Sequence, residues 1–126
     1  MTLLLDTNAL LWLLDGKAEL GPKARARIAG ATKIWVSDIS LLEIAIKAAR
    51  RKLEVPPRLG SLVEKLGIER AGVHDEYLDR IRELPPHHRD PFDRYLIAQA
   101  LVDGVPIVTS DPVFALYGVQ VVDARS

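Results

Sequence analysis

The sequence predicts an α/β fold in which a central, mostly parallel sheet is flanked by helices. Short apolar runs typical of buried strands recur along the 126 residues, and segments with helical spacing separate them. Strands that alternate with helices in this way usually pair in parallel. The composition, 48% hydrophobic and 27% charged, is that of an ordinary globular protein, and we expect one domain over residues 1–126.

The first half of the chain predicts two strands and four helices. The apolar run after Met1 predicts a strand, and the pair Asp15-Gly16 ends the helix that follows it. Pro22 suits the first turn of a second helix. The strands span residues 2–5 and 33–36, and the helices span residues 8–14, 22–29, 40–52 and 59–66.

The second half predicts three short strands with helices between them. Asp90 before Pro91 is a strong signal for the start of a helix, because aspartate caps well and proline fits the first turn. The strands span residues 68–71, 106–109 and 119–122, and the helical segments span residues 74–84, 91–102 and 112–116.

Several function classes are disfavoured by composition. The chain has no cysteine, which excludes disulfides and thiolate metal sites and suits a reducing cytoplasm. The N-terminus lacks the basic region of a signal peptide, and no apolar run approaches the length of a membrane span. The 17 basic and 17 acidic residues cancel, so nucleic-acid binding would need a local basic patch or metal ions.

Four acids are predicted to meet at one edge of the sheet. Asp6 and Asp111 directly follow strands, while Glu43 and Asp93 lie on the first turns of helices. Functional groups in such folds gather beyond the carboxyl ends of the strands. Four carboxylates brought together would repel, and the hard cations Mg²⁺ and Mn²⁺ would compensate them. Such ions activate water for phosphodiester hydrolysis.

Each of these acids also has a structural explanation. Glu43 could complete a capping box with Ser40, or pair with Lys47 one turn later. Asp93 suits the positive end of a helix dipole, and Asp111 before proline suits a turn. The acid after the first strand could cap the helix that follows it. The metal-site hypothesis therefore depends on the conjunction of all four acids.

Polar side chains accompany the acids at the same edge. Thr7, Asn8 and Thr109 are predicted to orient carboxylates or to hold water around a metal. The alternative is that such residues are simply common after strands and at helix caps, and it weighs more for Ser37 and Ser110.

Four segments together resemble the PIN-domain ribonucleases, and most closely the VapC toxins of bacterial and archaeal toxin–antitoxin pairs. These segments are "LLLDTNALLW", "SDISLLEIAIK", "HHRDPFDRYLIAQA" and "IVTSDPVF", and they span nearly the whole chain in the order of the family. The resemblance implies a PIN-like three-layer sandwich and a metal-dependent endoribonuclease that hydrolyses RNA through a metal-activated water. It also implies a homodimer and a VapB-like antitoxin. Taking the resemblance together with the acids and the composition, we expect Mg²⁺ or Mn²⁺ as cofactor, a cytoplasmic location and no membrane contact.

The resemblance maps the catalytic, metal-binding acids onto Asp6, Glu43, Asp93 and Asp111. Thr109 matches a hydroxyl that the family carries two residues before the last acid. In the third motif the family's acid falls on Asp93, so Asp90 is interpreted as the helix cap and as an outer group that supports the site.

Basic residues near the motifs could bind RNA phosphates. Arg89, Arg94 and Lys47 are the candidates, although Arg94 could instead pair with an acid. The run at residues 50–52 is more typical of a solvated helix face. The histidines at positions 87 and 88 are expected at the surface or against the RNA backbone rather than on the metal.

Two rival functions stay open. A non-catalytic RNA- or protein-binding module could keep the same fold, and metal-dependent cleavage would separate it from a nuclease. A phosphotransfer enzyme is the other rival. An aspartate-dependent phosphatase needs a second acid where this chain has Asn8, and a phosphoacceptor receiver needs a late lysine, which the chain lacks after Asp111.

Overall fold

The computed structural model describes all residues, 1–126, and is built around a five-stranded sheet. The strands lie in the order β3-β2-β1-β4-β5, and each neighbouring pair is parallel, which confirms the predicted α/β architecture. Their bounds are β1 (Thr2–Leu5), β2 (Lys33–Ser37), β3 (Glu69–Ala71), β4 (Ile107–Thr109) and β5 (Val121–Asp123).

Six α-helices and one 3₁₀ helix connect the strands. None of them is long and apolar enough to cross a membrane. Their bounds are α1 (Thr7–Asp15), α2 (Pro22–Ala29), α3 (Asp38–Ala49), α4 (Leu59–Lys65), α5 (Asp75–Ile81), α6 (Pro91–Asp103) and the 3₁₀ helix Pro112–Tyr117.

The central strand β1 contributes to a hydrophobic core on each face of the sheet. Leu3 and Leu5 belong to a cluster that α1, α2 and α3 cover, whereas Leu4 belongs to a second cluster built largely from α6. All three leucines are fully buried, because successive strand side chains point to opposite faces. Helices on both faces of one sheet give the three-layer sandwich.

The strand order brings the start of α1 next to the end of β4. Leu5 is in register with Val108, and the Asp6 N–H donates to the Val108 carbonyl at 3.0 Å. From β1 the chain crosses to β2 on one side, while β4 lies on the other side. The carboxyl ends of β1 and β4 therefore form a topological switch point, where α/β sheets open a crevice for ligands.

Most predicted helices match the structure to within one residue at each end, but α3 and α5 differ by two or three residues at an end. Helix α3 begins at Asp38 rather than at residue 40, because the Ser37 hydroxyl caps it by accepting from the Ile39 N–H at 3.0 Å. It ends at Ala49, and Arg51 has a left-handed φ of 56°, which a continuing helix would not allow. Helix α5 ends at Ile81 rather than at residue 84, because the N–H groups of residues 82–84 bond to carbonyls three residues back, as in a tighter turn.

Candidate metal centre

Asp6 is buried at the seam between β1 and α1, with a side chain only 5% exposed. It caps α1, because its Oδ1 accepts from the Ala9 N–H at 2.8 Å. The pKa of Asp6 rises to about 6, mainly because of burial. Hydrogen bonds from Thr109 and Ala9 oppose this rise, and the charges of Glu43 and Asp111 add to it. The capping explanation is thus correct, yet capping uses one oxygen and leaves a buried, incompletely compensated acid.

Glu43 projects from α3 toward Asp6 and is 6% exposed. The Thr7 hydroxyl donates to Glu43 Oε1 at 2.7 Å, and Lys47 Nζ lies 2.8 Å from Oε2. The predicted pair with Lys47 is therefore confirmed. The capping box with Ser40 is wrong, because α3 begins earlier and places Glu43 on its second turn.

Asp93 lies on the first turn of α6, as predicted. Asp90 caps this helix, and its Oδ1 accepts from the Phe92 N–H at 2.8 Å. Burial is the main reason that the pKa of Asp93 rises to about 7; the charges of Asp90, Asp6 and Glu43 add to this, and His88 opposes it. Asp93 thus lies within electrostatic range of the acids from β1 and α3.

Asp111 completes the acidic cluster from the end of β4. Its Oδ1 accepts from the Val113 N–H at 2.9 Å and caps the 3₁₀ helix, which confirms the predicted turn. Its own N–H donates to Thr109 Oγ1 at 3.1 Å. Its second carboxylate oxygen, Oδ2, lies 2.8 Å from His88 Nε2.

His88 lies inside the site, and the expectation of a surface position is wrong. Its side chain is 15% exposed, with Nε2 2.8 Å from Asp111 Oδ2 and 3.0 Å from Asp93 Oδ2. Its Nδ1 accepts the Asp90 N–H at 3.1 Å. His87, in contrast, is exposed and packs edge-on against Tyr117. No sequence signal separates the two histidines, since the conformation of the loop decides which one turns inward.

Arg94 has a structural role that the sequence did not indicate. Its guanidinium donates to the carbonyls of Pro85, His88 and Leu84 at 3.0–3.2 Å, and so holds the loop before α6. It pairs with no acid, and these bonds leave little of it free for RNA. We therefore do not keep Arg94 among the candidate RNA contacts.

Replacing Arg94 with alanine should lower the free energy of unfolding by about 3 kcal/mol, because several carbonyls of the loop lose a charged donor. Arg94→Lys should recover only part of this loss, since an ammonium cannot reproduce the planar fork of donors. Urea denaturation measures both effects. Arg89→Ala is the matched control: this neighbouring arginine is exposed and should change stability by less than about 0.5 kcal/mol.

The supporting residues divide into two groups. Thr7, Thr109 and Asp90 lie against the four acids, as predicted. Asn8 does not, because its position on the outer face of α1 leaves it exposed and without a hydrogen bond to any of them. Arg89 is also exposed, and it lines a cavity beside Glu43.

The charge balance of the site fits a divalent cation. Four carboxylates and the nearby Asp90 face one ammonium, that of Lys47, and the imidazole of His88. Burial is the main cause of the raised pKa values of Asp6 and Asp93, and the charges of neighbouring carboxylates add to it. Carboxylate oxygens are the ligands that Mg²⁺ and Mn²⁺ prefer, so the donor set suits these ions.

A parallel sheet with carboxylates at its switch point defines an α/β protein with an acidic site suited to divalent cations. The sequence profile of the PIN domain matches residues 3–119, and the chain therefore belongs to the PIN domain family. A search of the curated proteins found no match.

Solved structures with similar folds include chains of VapBC toxin–antitoxin complexes and of FitAcB. One is DNA-bound VapBC from Salmonella typhimurium, with 20% identity, a TM-score of 0.73 and 98% of each chain covered. Another is VapBC2 from Rickettsia felis bound to a promoter DNA fragment, with 15% identity, a TM-score of 0.70, and 97% of this chain and 98% of that chain covered. A third is FitAcB from Neisseria gonorrhoeae, with 15% identity, a TM-score of 0.67 and 97% of each chain covered. These identities establish a shared fold.

Proposed function

We propose that this protein is a Mg²⁺- or Mn²⁺-dependent endoribonuclease that acts as the toxin of a toxin–antitoxin pair. The observation that carries the proposal is the convergence of Asp6, Glu43, Asp93 and Asp111 at the switch point of the sheet. Membership of the PIN domain family supports a nuclease. The fold shared with chains of VapBC and FitAcB structures supports the toxin assignment.

The four acids would hold the cation, and their neighbours would fix their orientation. The Thr7 hydroxyl directs Glu43, while Thr109 directs Asp6 and the backbone of Asp111. A bound cation supplies Lewis-acid activation of water and stabilises charge on the leaving oxygen. Attack by water on the scissile phosphate would leave a 5′-phosphate and a 3′-hydroxyl.

A basic cavity beside Glu43 is the proposed path for the RNA strand. The cavity, about 410 Å³, lies between α3 and the start of α6, and Lys47, Arg50 and Arg89 line it. Arg50 and Arg89 are exposed, so both cations are available to phosphates. A net charge of zero gives no global attraction for RNA, which makes such a local patch necessary.

The double substitution Arg50→Ala with Arg89→Ala should weaken binding of single-stranded RNA about tenfold. Losing two phosphate contacts should also reduce the slope of log affinity against log salt by about 1.4. Fluorescence anisotropy in chelator measures binding without cleavage. The control is Arg80→Ala with Arg82→Ala, a pair of arginines at the end of α5, away from the basic cavity. Equal losses in both double variants would contradict this path.

An apolar cleft between α3 and α4 is the proposed binding site for a segment of the antitoxin. The cleft is about 580 Å³, and Leu41, Ile44 and Val55 contribute to its lining. Leu62 and Leu66, on and directly after α4, are also exposed apolar side chains. An amphipathic helix of a VapB-like antitoxin would cover this surface. The proposed assembly also includes a toxin homodimer, acting on RNA in the cytoplasm.

Incubation of antitoxin-free protein with structured and unstructured RNAs tests the proposed reaction. We expect internal cleavage with Mg²⁺ or Mn²⁺, no cleavage with chelator, and 5′-phosphate ends on the products. Asp93→Asn should be inactive in the same assay. RNA binding without cleavage by folded, cation-loaded protein would favour the alternative of a non-catalytic RNA-binding module.

A further inference from the structure

We propose that the His88 imidazole hydrogen-bonds to the carboxylates of Asp93 and Asp111 in the metal-free protein. When a divalent cation binds these carboxylates, the imidazole moves away from them. His88 would thereby weaken the apparent affinity of the site for metal. This inference rests on the proposed metal site, and nothing in the four acidic motifs themselves assigns a role to His88.

The hydrogen bonds of the imidazole indicate which ring nitrogen carries the proton that faces the acids. Nδ1 accepts the backbone N–H of Asp90 at 3.1 Å, so Nδ1 carries no proton. The single ring proton is therefore on Nε2, which lies 2.8 Å from Asp111 Oδ2 and 3.0 Å from Asp93 Oδ2. One N–H is shared between two carboxylates that come from different elements of the fold.

His88 uses the same carboxylate oxygen that a cation would need. Asp111 Oδ1 is committed to the Val113 N–H at the cap of the 3₁₀ helix, which leaves Oδ2 as the free ligand atom. Nε2 of His88 contacts that Oδ2. A cation bound there and the imidazole N–H would compete for one oxygen.

Direct ligation by His88 is disfavoured, although its Nε2 lies close to both acids. To bind a cation, Nε2 must lose its proton to Nδ1. The Nδ1–H would then face the Asp90 N–H at 3.1 Å, donor against donor. Mg²⁺ also prefers oxygen to nitrogen ligands.

Only the side chain of His88 would have to move. Its backbone N–H donates to the Tyr117 hydroxyl at 2.7 Å, and its carbonyl accepts from Arg94 at 3.1 Å. The ring packs edge-on against Phe114 and belongs to a loop whose neighbours His87 and Arg89 are exposed. A rotation of the side chain toward solvent would free both carboxylates without unfolding the loop.

Calorimetric titration with Mg²⁺ or Mn²⁺ tests the competition, with His88→Ala compared against wild type and against His87→Ala. At about pH 8, where few carboxyl protons compete, we expect His88→Ala to bind the cation about tenfold more tightly. His87→Ala should match wild type. Weaker cation binding by His88→Ala would show that His88 is a metal ligand. Unchanged affinity would show that His88 does not compete with the cation. Either result overturns the inference.

Nitrogen NMR of the His88 imidazole in the wild-type protein provides a second test of the competition, and this test does not depend on how a variant folds. We expect the Nε2–H form of His88 both without and with Mg²⁺, and loss of its hydrogen-bonded Nε2 proton signal on Mg²⁺ addition. A change to the Nδ1–H form would show ligation and overturn the inference. If wild-type protein binds no cation, the proposed metal site fails as well; if it binds and His88 does not respond, the inference alone fails.

Discussion

Asp6→Asn is expected to reduce metal-dependent RNA cleavage by at least about 100-fold while leaving the protein folded. Loss of an outer group that merely supports a metal ligand costs 10–100-fold, and Asp6 would be a ligand itself. Asparagine caps helices as well as aspartate does, so the bond to the Ala9 N–H can persist. Cleavage rates at saturating substrate measure the loss of activity, and circular dichroism shows whether the variant is folded.

The same substitution should raise the stability of the metal-free protein at neutral pH. The pKa of Asp6 is about 6 in the folded chain against an ordinary value of 3.8, which corresponds to about 3 kcal/mol of destabilisation by its buried charge. Asp15→Asn is the matched control, because Asp15 ends the same helix but is exposed. Cleavage that survives in folded Asp6→Asn would remove Asp6 from the reaction.

The metal-free protein is expected to become less stable as pH rises from about 4 to about 8. Asp6 and Asp93 have raised pKa values of about 6 and about 7, so the unfolded chain releases these two protons at lower pH than the folded chain does. The folded state binds more protons throughout this window, and its free energy of unfolding therefore falls with rising pH. Thermal unfolding in chelator at a series of pH values measures the trend.

Saturating Mg²⁺ or Mn²⁺ should reverse most of this loss above about pH 7, because a ligand that binds only the folded state stabilises it. Asp6→Asn with Asp93→Asn should flatten the profile in chelator. Ca²⁺ is a useful comparison, since it also prefers oxygen ligands. A melting temperature that rises with pH in chelator would contradict the electrostatic account of the site.

The sheet and most of its helices could be predicted from the sequence because local signals set them. Gly16 adopts the left-handed conformation that ends α1, and Asp90-Pro91 begins α6. The clustering of the acids was also predictable, because the carboxyl ends of neighbouring parallel strands meet at one edge. Asp6 and Asp111 follow β1 and β4, which are neighbours in the sheet.

The loop between α5 and α6 could not be predicted in the same way. Its conformation depends on long-range bonds from Arg94 and Tyr117 to its backbone, and no local pattern encodes them. Those bonds turn His88 inward and leave His87 outside. The start of α3 was misjudged for a related reason: Ser37 and Ser40 are both able to cap, and the end of β2 selects Ser37.

Anomalous diffraction from crystals soaked in Mn²⁺ tests most directly whether the four acids form one cation site. We expect an anomalous peak bounded by the carboxylates of Asp6, Glu43, Asp93 and Asp111, and its absence in crystals of Asp6→Asn with Asp93→Asn. A peak elsewhere on the protein, with none at these four carboxylates, would contradict the proposal that the four acids form one cation site.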